Sequence, residues 1–321
     1  MSGVRSPVSG KGTIRHRFVD AGAGIARSGL LLAAFLTVLS GCSSQKTVSA
    51  LLEEAGRGDA GAMRDLVRAM GSPERERALE AYNGVIGLGP VMVPGLMRGL
   101  ESSDPAVMEA SAAALGSMGS TSSIGPLMAM LEGRRPRRYA AAWALGEIGD
   151  PSAVAGLTRA LSDSDPTVRK EAVRALVKIG GDVPREVLVL VQGTTEPLAA
   201  RSAIRVLGEL RAAVAVEPLA SVEGRNRDAA VWALGRIGHP AALGTLLEAL
   251  DDDRWQVRRE AAEALGYLEM TEAVGPLEKA LSDPEPVVRE WAARSLETLT
   301  GRQVLYEGED GELVPPYNLY R

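Results

Sequence analysis

Cysteine and histidine are almost missing from this chain: one of the first and two of the second in 321 residues. A single cysteine excludes an internal disulfide, and it excludes a zinc or iron–sulfur site built on several thiolates. Aromatic residues are scarce as well, at 4%, with only two phenylalanines. A β-sandwich would want Thr, Tyr and Phe, whereas a composition led by Ala, Leu, Gly and Val suits closely packed helices. The formal net charge of −5 gives no general nucleic-acid signature. What is plentiful is apolar residues, 45% of the chain, enough to bury a sizeable core in one large domain or two ordinary ones.

The lone cysteine closes an uncharged run, "GLLLAAFLTVLSGC", from Gly29 to Cys42. Before it stand Arg5, Lys11, Arg15, Arg17 and Arg27 with one acid, Asp20. As a helix the run would rise about 21 Å, short of a hydrocarbon core of ~30 Å. A basic leader, a short apolar stretch and small residues make the pattern of a signal peptide over residues 1–41. Leu39, Ser40, Gly41 and Cys42 resemble a bacterial lipobox. That resemblance implies that Cys42 is joined to diacylglycerol, that a peptidase cuts before it, and that the new amino terminus takes a further fatty acid such as palmitate. Two or three acyl chains hold a protein on a bilayer where one does not. Ser43 follows the cysteine, which in Gram-negative lipoproteins implies the outer membrane, on its periplasmic side. Loss of residues 1–41 removes five cations and one anion, so the remaining 280 residues carry about −9. Acyl chains, not attraction to anionic headgroups, would do the anchoring.

After a short spacer, the chain turns helical from Ala50, and it repeats. "AALGSMG", "WALGEIG", "RALVKIG", "RVLGEL", "WALGRIG", "EALGYLE" and "RSLETLT" place Leu115, Leu145, Leu176, Leu207, Leu234, Leu265 and Leu296 in register, with steps of 30, 31, 31, 27, 31 and 31 residues. "GVIGLG" at 84–89 is a degenerate earlier copy. A fixed period near 31 marks a solenoid. Each unit reads as two helices. Asp165 and Pro166 suit an N-cap and first helical position, Val168, Ala172, Leu176 and Ile179 share one face, and Gly180 can stop the helix in a left-handed conformation. The second helix of the preceding unit, 152–163, turns Val154, Leu157 and Leu161 inward. Pro94, Pro126, Pro218 and Pro276 fall in first turns, where the lost N–H had no helical partner.

These units, best seen in "DPTVRKEAVRALVKIG" (165–180) and "PEPVVREWAARSLETL" (284–299), resemble the HEAT-like repeat in the short form found in phycobilin lyases. The resemblance implies an all-α solenoid of seven to eight stacked antiparallel helix pairs over 50–300. It implies an inter-repeat ladder from Arg138, Arg169, Arg227, Arg258 and Arg289, with Asp150, Asp165 and Glu285 as candidate partners. The unit at 225–238 follows the short step and lacks the Asp-Pro start, so an irregularity is expected there. The family includes di-iron hydroxylases, whose sites need several His-Glu pairs. Beyond the leader this chain keeps only His239, followed by Pro240, which excludes that site and any multi-histidine zinc centre. No Gly-x-Ser-x-Gly elbow accompanies it. "SGKGT" at 9–13 lacks phosphate-loop spacing, and the acidic runs 251–253 and 307–312 lack EF-hand spacing.

The reading is therefore a membrane-anchored interaction scaffold at a bacterial cell envelope, with no catalytic residues, metal or cofactor, and bound to the bilayer through Cys42 and to an unnamed protein partner. Alternatives are a chromophore-handling protein like the bilin lyases, which export argues against, and a purely structural spacer. Trp143 and Trp232 are expected in the inter-helix core and Trp255 at the surface. "GRRPRR" (133–138) is the one basic cluster, read as a solvated turn with Arg138 serving the ladder. By resemblance, second helices line a binding face, and Met128, Val189 and Leu190 are the candidate groove residues. The tail, 301–321, could form a capping hairpin.

Overall fold

The computed structural model describes residues 46–194 and 196–316. The expected signal sequence, the motif Leu39, Ser40 and Gly41, and the expected lipidation site Cys42 lie outside the described residues.

From Val48 onward the chain forms eight antiparallel helix pairs. They are α1 (Val48–Gly56) with α2 (Ala60–Ala69), α3 (Arg75–Leu88) with α4 (Val93–Gly99), α5 (Pro105–Ser117) with α6 (Ile124–Glu132), and α7 (Arg138–Ile148) with α8 (Val154–Ala160). Then come α9 (Pro166–Ile179) with α10 (Val183–Gly193), α11 (Pro197–Glu209) with α12 (Val216–Ala220), α13 (Arg227–Ile237) with α14 (Leu243–Ala249), and α15 (Trp255–Leu268) with α16 (Val274–Ala280). A last first-helix, α17 (Pro286–Thr300), is followed by an antiparallel two-stranded hairpin, β1 (Tyr306–Glu307) against β2 (Leu313–Val314). First helices stack on first helices and second on second, as an α-solenoid requires.

Local chemistry sets the boundaries. Asp104 and Asp165 accept the N–H two residues on at 2.8 Å, each before a proline that opens its helix. A cap of this kind is worth about 1 kcal/mol. Gly149 and Gly238 end their helices at φ 74° and 69°, a region a side chain enters only with strain. Asp150 and His239 then cap the 3-10 turns that lead into α8 and α14. The register leucines from Leu115 to Leu296 are all buried, and with the inner faces of the second helices they make one continuous core.

The first helices approach very closely. The residue after the register leucine is glycine in most units, and it lies against the residue before the leucine of the next unit. Gly116 meets Ala144, Gly146 meets Ala175, Gly208 meets Ala233, Gly235 meets Ala264, and Gly266 meets Ser295. A Cβ on Gly116 or Gly146 would stand 2.7 Å from the facing Cα, so only glycine fits. The edges of Trp143 and Trp232 cover Gly116 and Gly208, which puts both tryptophans in the inter-helix packing. The series breaks once. At α9 the glycine is Val177, and the corresponding residue of α11 is Val206. Backbone approaches between α9 and α11 are fewer than between any later pair of stacked first helices.

Candidate interaction surface

The arginine ladder is built differently from its sequence reading. Arg138 grips Asp163 with two bonds, Nε to Oδ2 at 3.0 Å and Nη2 to Oδ1 at 2.7 Å. Arg258 does the same to Asp283 at 2.7 and 2.9 Å, and Arg227 Nε reaches Asp252 at 3.0 Å. The acid is therefore two residues before the N-cap, not Asp150, Asp165 or Glu285. Asp150 and Asp165 are occupied as caps, and Glu285 is the N-cap residue of α17. The spacing could have shown this, since each rung joins residues 25 apart. Each ladder aspartate also accepts the N–H two residues on, as do Ser72, Ser102 and Thr194 at the same place in their units. A hydroxyl keeps the turn; only a carboxylate adds the ion pair.

Arg169 thus finds no carboxylate, because Thr194 stands where the next rung's acid would be. It donates to the carbonyls of Asp163 and Ser164. Arg289, at the end of the stack, donates to the carbonyls of Glu307 and Gly308, so the hairpin takes the place of a ninth pair. Burial alone would raise the Asp163 carboxyl, but the Arg138 guanidinium and the Asp165 N–H outweigh it and hold it below the usual carboxylate range. Asp252 behaves alike, its burial outweighed by Arg254 and Arg227.

The second helices present a regular outward row. Two residues past the buried Leu96, Leu127, Leu157, Val187, Leu219, Leu246 and Leu277 come Arg98, Ala129, Arg159, Val189, Ser221, Glu248 and Lys279, all exposed. Val189 is the large apolar member of the row, 70% exposed. The other two candidate groove residues sit elsewhere. Met128 is half-buried, its side chain laid across Gly156 of the next second helix. Leu190 is three past Val187 and packs against the core. The physical reason is register: in α10 the inward residue is Val187, one position earlier than leucine spacing suggests. Met128 and Val189 belong to helices separated by α8, so the three do not form one apolar groove.

The expected irregularity is real. Helix α12 is five residues long, and a 3-10 turn at 224–226 replaces the Asp-Pro start of α13. An open cleft of about 820 Å³ lies here, between Val191, Gln192, Thr194 and Glu196 on one side and Glu217, Val222 and Arg225 on the other. Asn226 Nδ2 donates to the Pro197 carbonyl at 2.9 Å, and Arg201 of α11 bonds both oxygens of Asp228 of α13. At the α11–α13 joint, where Ala200 stands at the ladder position, this Arg–Asp pair takes the place of a rung.

His239 Nδ1 accepts the Ala241 N–H at 3.2 Å, a capping role. Among the described residues no group of three or more His, Cys, Asp or Glu is placed to hold a metal ion. No helix among them is long and apolar enough to cross a membrane. Trp255 is 39% exposed at the first position of α15. In the basic loop, Arg137 adopts φ 66° and contacts Glu109 at 3.3 Å, while Arg138 serves the ladder.

A model of HEAT repeats matches residues 134–208, 187–258 and 219–297. Among solved structures, importin β superposes with a TM-score of 0.54 at 16% identity, over 84% of this chain and 44% of that one. Human deoxyhypusine hydroxylase gives 0.33 at 21% identity, covering 79% and 99% of the two chains. The complex of CpcE and CpcF of phycocyanin lyase from Nostoc gives 0.36 at 24%, covering 64% and 86%. Identities this low speak only for the fold. No curated protein sequence matches.

Proposed function

The chain belongs to the HEAT-repeat family, and from that premise we propose that it is a protein–protein interaction scaffold, held at a bacterial membrane by an acylated Cys42. The observation that carries the scaffold reading is the outward row of the second helices. It runs from Arg98 to Lys279, broken by the cleft between α10 and α12, and changes character along its length, cationic at Arg98 and Arg159, apolar at Val189, mixed at Glu248 and Lys279. A stacked, extended surface of this kind suits a partner that spans several units. The anchor rests on the motif from Leu39 to Cys42 at the end of an uncharged run. Ser43 favours the outer membrane, periplasmic side. No chemistry is assigned to the protein: its one histidine past the leader is spent on a cap.

Mass spectrometry of the amino-terminal peptide from a membrane fraction tests the anchor. The expected peptide begins at Cys42 and carries acyl chains, and Cys42→Ala accumulates as uncleaved precursor. An intact, unmodified leader overturns it. For the scaffold, a photo-crosslinker at position 189 is expected to capture one defined protein, and Val189→Glu to lose it with an unchanged melting curve. Loss of biological activity in a stably folded His239→Ala would instead point to an enzyme.

A further inference from the structure

We propose that the loop 133–137 is a second membrane contact, in which Arg134 and Arg135 bind anionic lipid headgroups. The contact turns the edge of the solenoid bearing the first-helix N-termini toward the bilayer. This rests on the anchor reading above.

All first helices run the same way, so their N-termini and the loops that precede them share one edge. The chain enters the solenoid on that edge: Arg77, near the start of α3, donates to the Lys46 carbonyl at 3.3 Å, two residues before α1. Five residues lie between Cys42 and Val48, six Cα steps with a reach of at most about 20 Å. From α1 to α7 are three helix spacings of about 8–10 Å, so the loop lies roughly 30 Å along the same edge. The chain's entry at Lys46 and this loop therefore share one edge.

The loop differs from its equivalents in charge. Where other units place Asp104, Asp163, Asp252 or Asp283, this one places Arg134, Arg135 and Arg137. The nearby acids are already engaged: Glu109 with Tyr139 and Arg137, Glu132 with Arg159, and Asp163 with Arg138. Arg134 and Arg135 are exposed, and neither guanidinium has an ion-pair or hydrogen-bond partner among the described residues. Two free guanidiniums suit phosphate oxygens, which Arg can grip with paired N–H groups. The same edge carries Glu74, Glu101 and Asp104 before this loop and Asp251 and Asp253 after it, so Arg134 and Arg135 are a local cationic site on an otherwise acidic edge.

The test uses the mature acylated protein with one fluorophore on Ser103→Cys, the exposed neighbouring loop of the same edge, or on Ser152→Cys at the opposite edge. Vesicles are phosphatidylcholine alone or mixed with phosphatidylglycerol, both with a headgroup spin label. Quenching at position 103 is expected only with phosphatidylglycerol, is expected to weaken in high salt, and is expected to fall to the level at position 152 in Arg134→Glu/Arg135→Glu. A melting curve shows that this double variant is folded. Equal quenching in both vesicles, or quenching the double variant keeps, overturns the proposal. So does a vesicle-bound protein whose double variant loses only a protein cross-link, which would make the loop a protein contact. An unacylated Cys42 with protein left in the supernatant overturns the anchor reading and this inference with it.

Discussion

The joint between α7 and α9 and the next one, between α9 and α11, share one helix and the same stacking arrangement but use different contacts. At the first, Gly146 lets the backbones meet at Ala175, and Arg138 bridges to Asp163. At the second, Val177 and Val206 occupy the contact positions, and Arg169 bonds only carbonyls, with Thr194 at the position of the acid. Two independent devices, one of packing and one of charge, lapse at the same joint. The open cleft and the exposed Val189 and Leu198 lie there too. A solenoid's stability is the sum of its units and its interfaces, so among the joints from α5 to α17 the one lacking both devices is where the stack should open first.

The largest expected effect comes from closing a tight joint to its neighbour. Gly146→Leu forces a side chain into the Ala175 backbone and is expected to cost about 3 kcal/mol, read by urea unfolding. Val177→Leu, at the loose joint, is expected to cost less than half as much. Equal costs would show that the two joints are packed alike.

Next is the ladder. Arg258→Met leaves Asp283 half-buried without its partner, at an expected cost of about 2 kcal/mol, whereas Arg169→Met should cost well under 1. At two other rungs the ladder has a pH dependence with a definite sign. Asp163 and Asp252 are held below their ordinary range in the fold. Their stabilisation is fully present above the unfolded carboxylate value of about 3.9 and is lost as pH falls through the lower folded value. Melting temperature is therefore expected to be steady from neutral pH down to about 5 and to drop below 4.

A smaller effect should come from supplying the missing rung. Thr194→Asp keeps the turn that the hydroxyl now caps and gives Arg169 a carboxylate, with an expected gain of about 1 kcal/mol. Amide exchange in α9 and α11 should slow, with no change in α13 to α17. Unaltered exchange would mean that packing alone sets the weak joint. The smallest concerns Glu260, whose carboxyl burial pushes up despite Arg259 beside it, and whose Oε2 lacks a partner. A raised acid is a burden above its unfolded pKa, so Glu260→Gln is expected to raise the melting temperature slightly at pH 7 and not at pH 4.

Much of this was legible along the chain. The 31-residue period, the Asp-Pro starts and the left-handed glycines are local, and a local signal survives without knowledge of neighbours. The ladder was half legible: its arginines follow from the repeat, but their partners lie in the next unit, and an acid that caps its own helix looks the same in sequence as one that bridges. Of the groove residues, Val189 is exposed as expected, while Leu190 turns inward for a related reason. One residue of register in α10 exchanges an exposed Val189 for an inward Leu190, and leucine spacing alone did not resolve that shift.

By itself the sequence determined that this chain is a stack of helix pairs, preceded by a stretch, Leu39 to Cys42, that resembles a lipobox. Helix periodicity, caps and breakers act within one unit and repeat in each. Only the tertiary structure decided which glycine meets which alanine, which carboxylate each arginine takes, and which loops share an edge with the chain's entry. Those depend on contacts between residues about 25 to 31 positions apart, and such contacts exist only once neighbouring units have stacked.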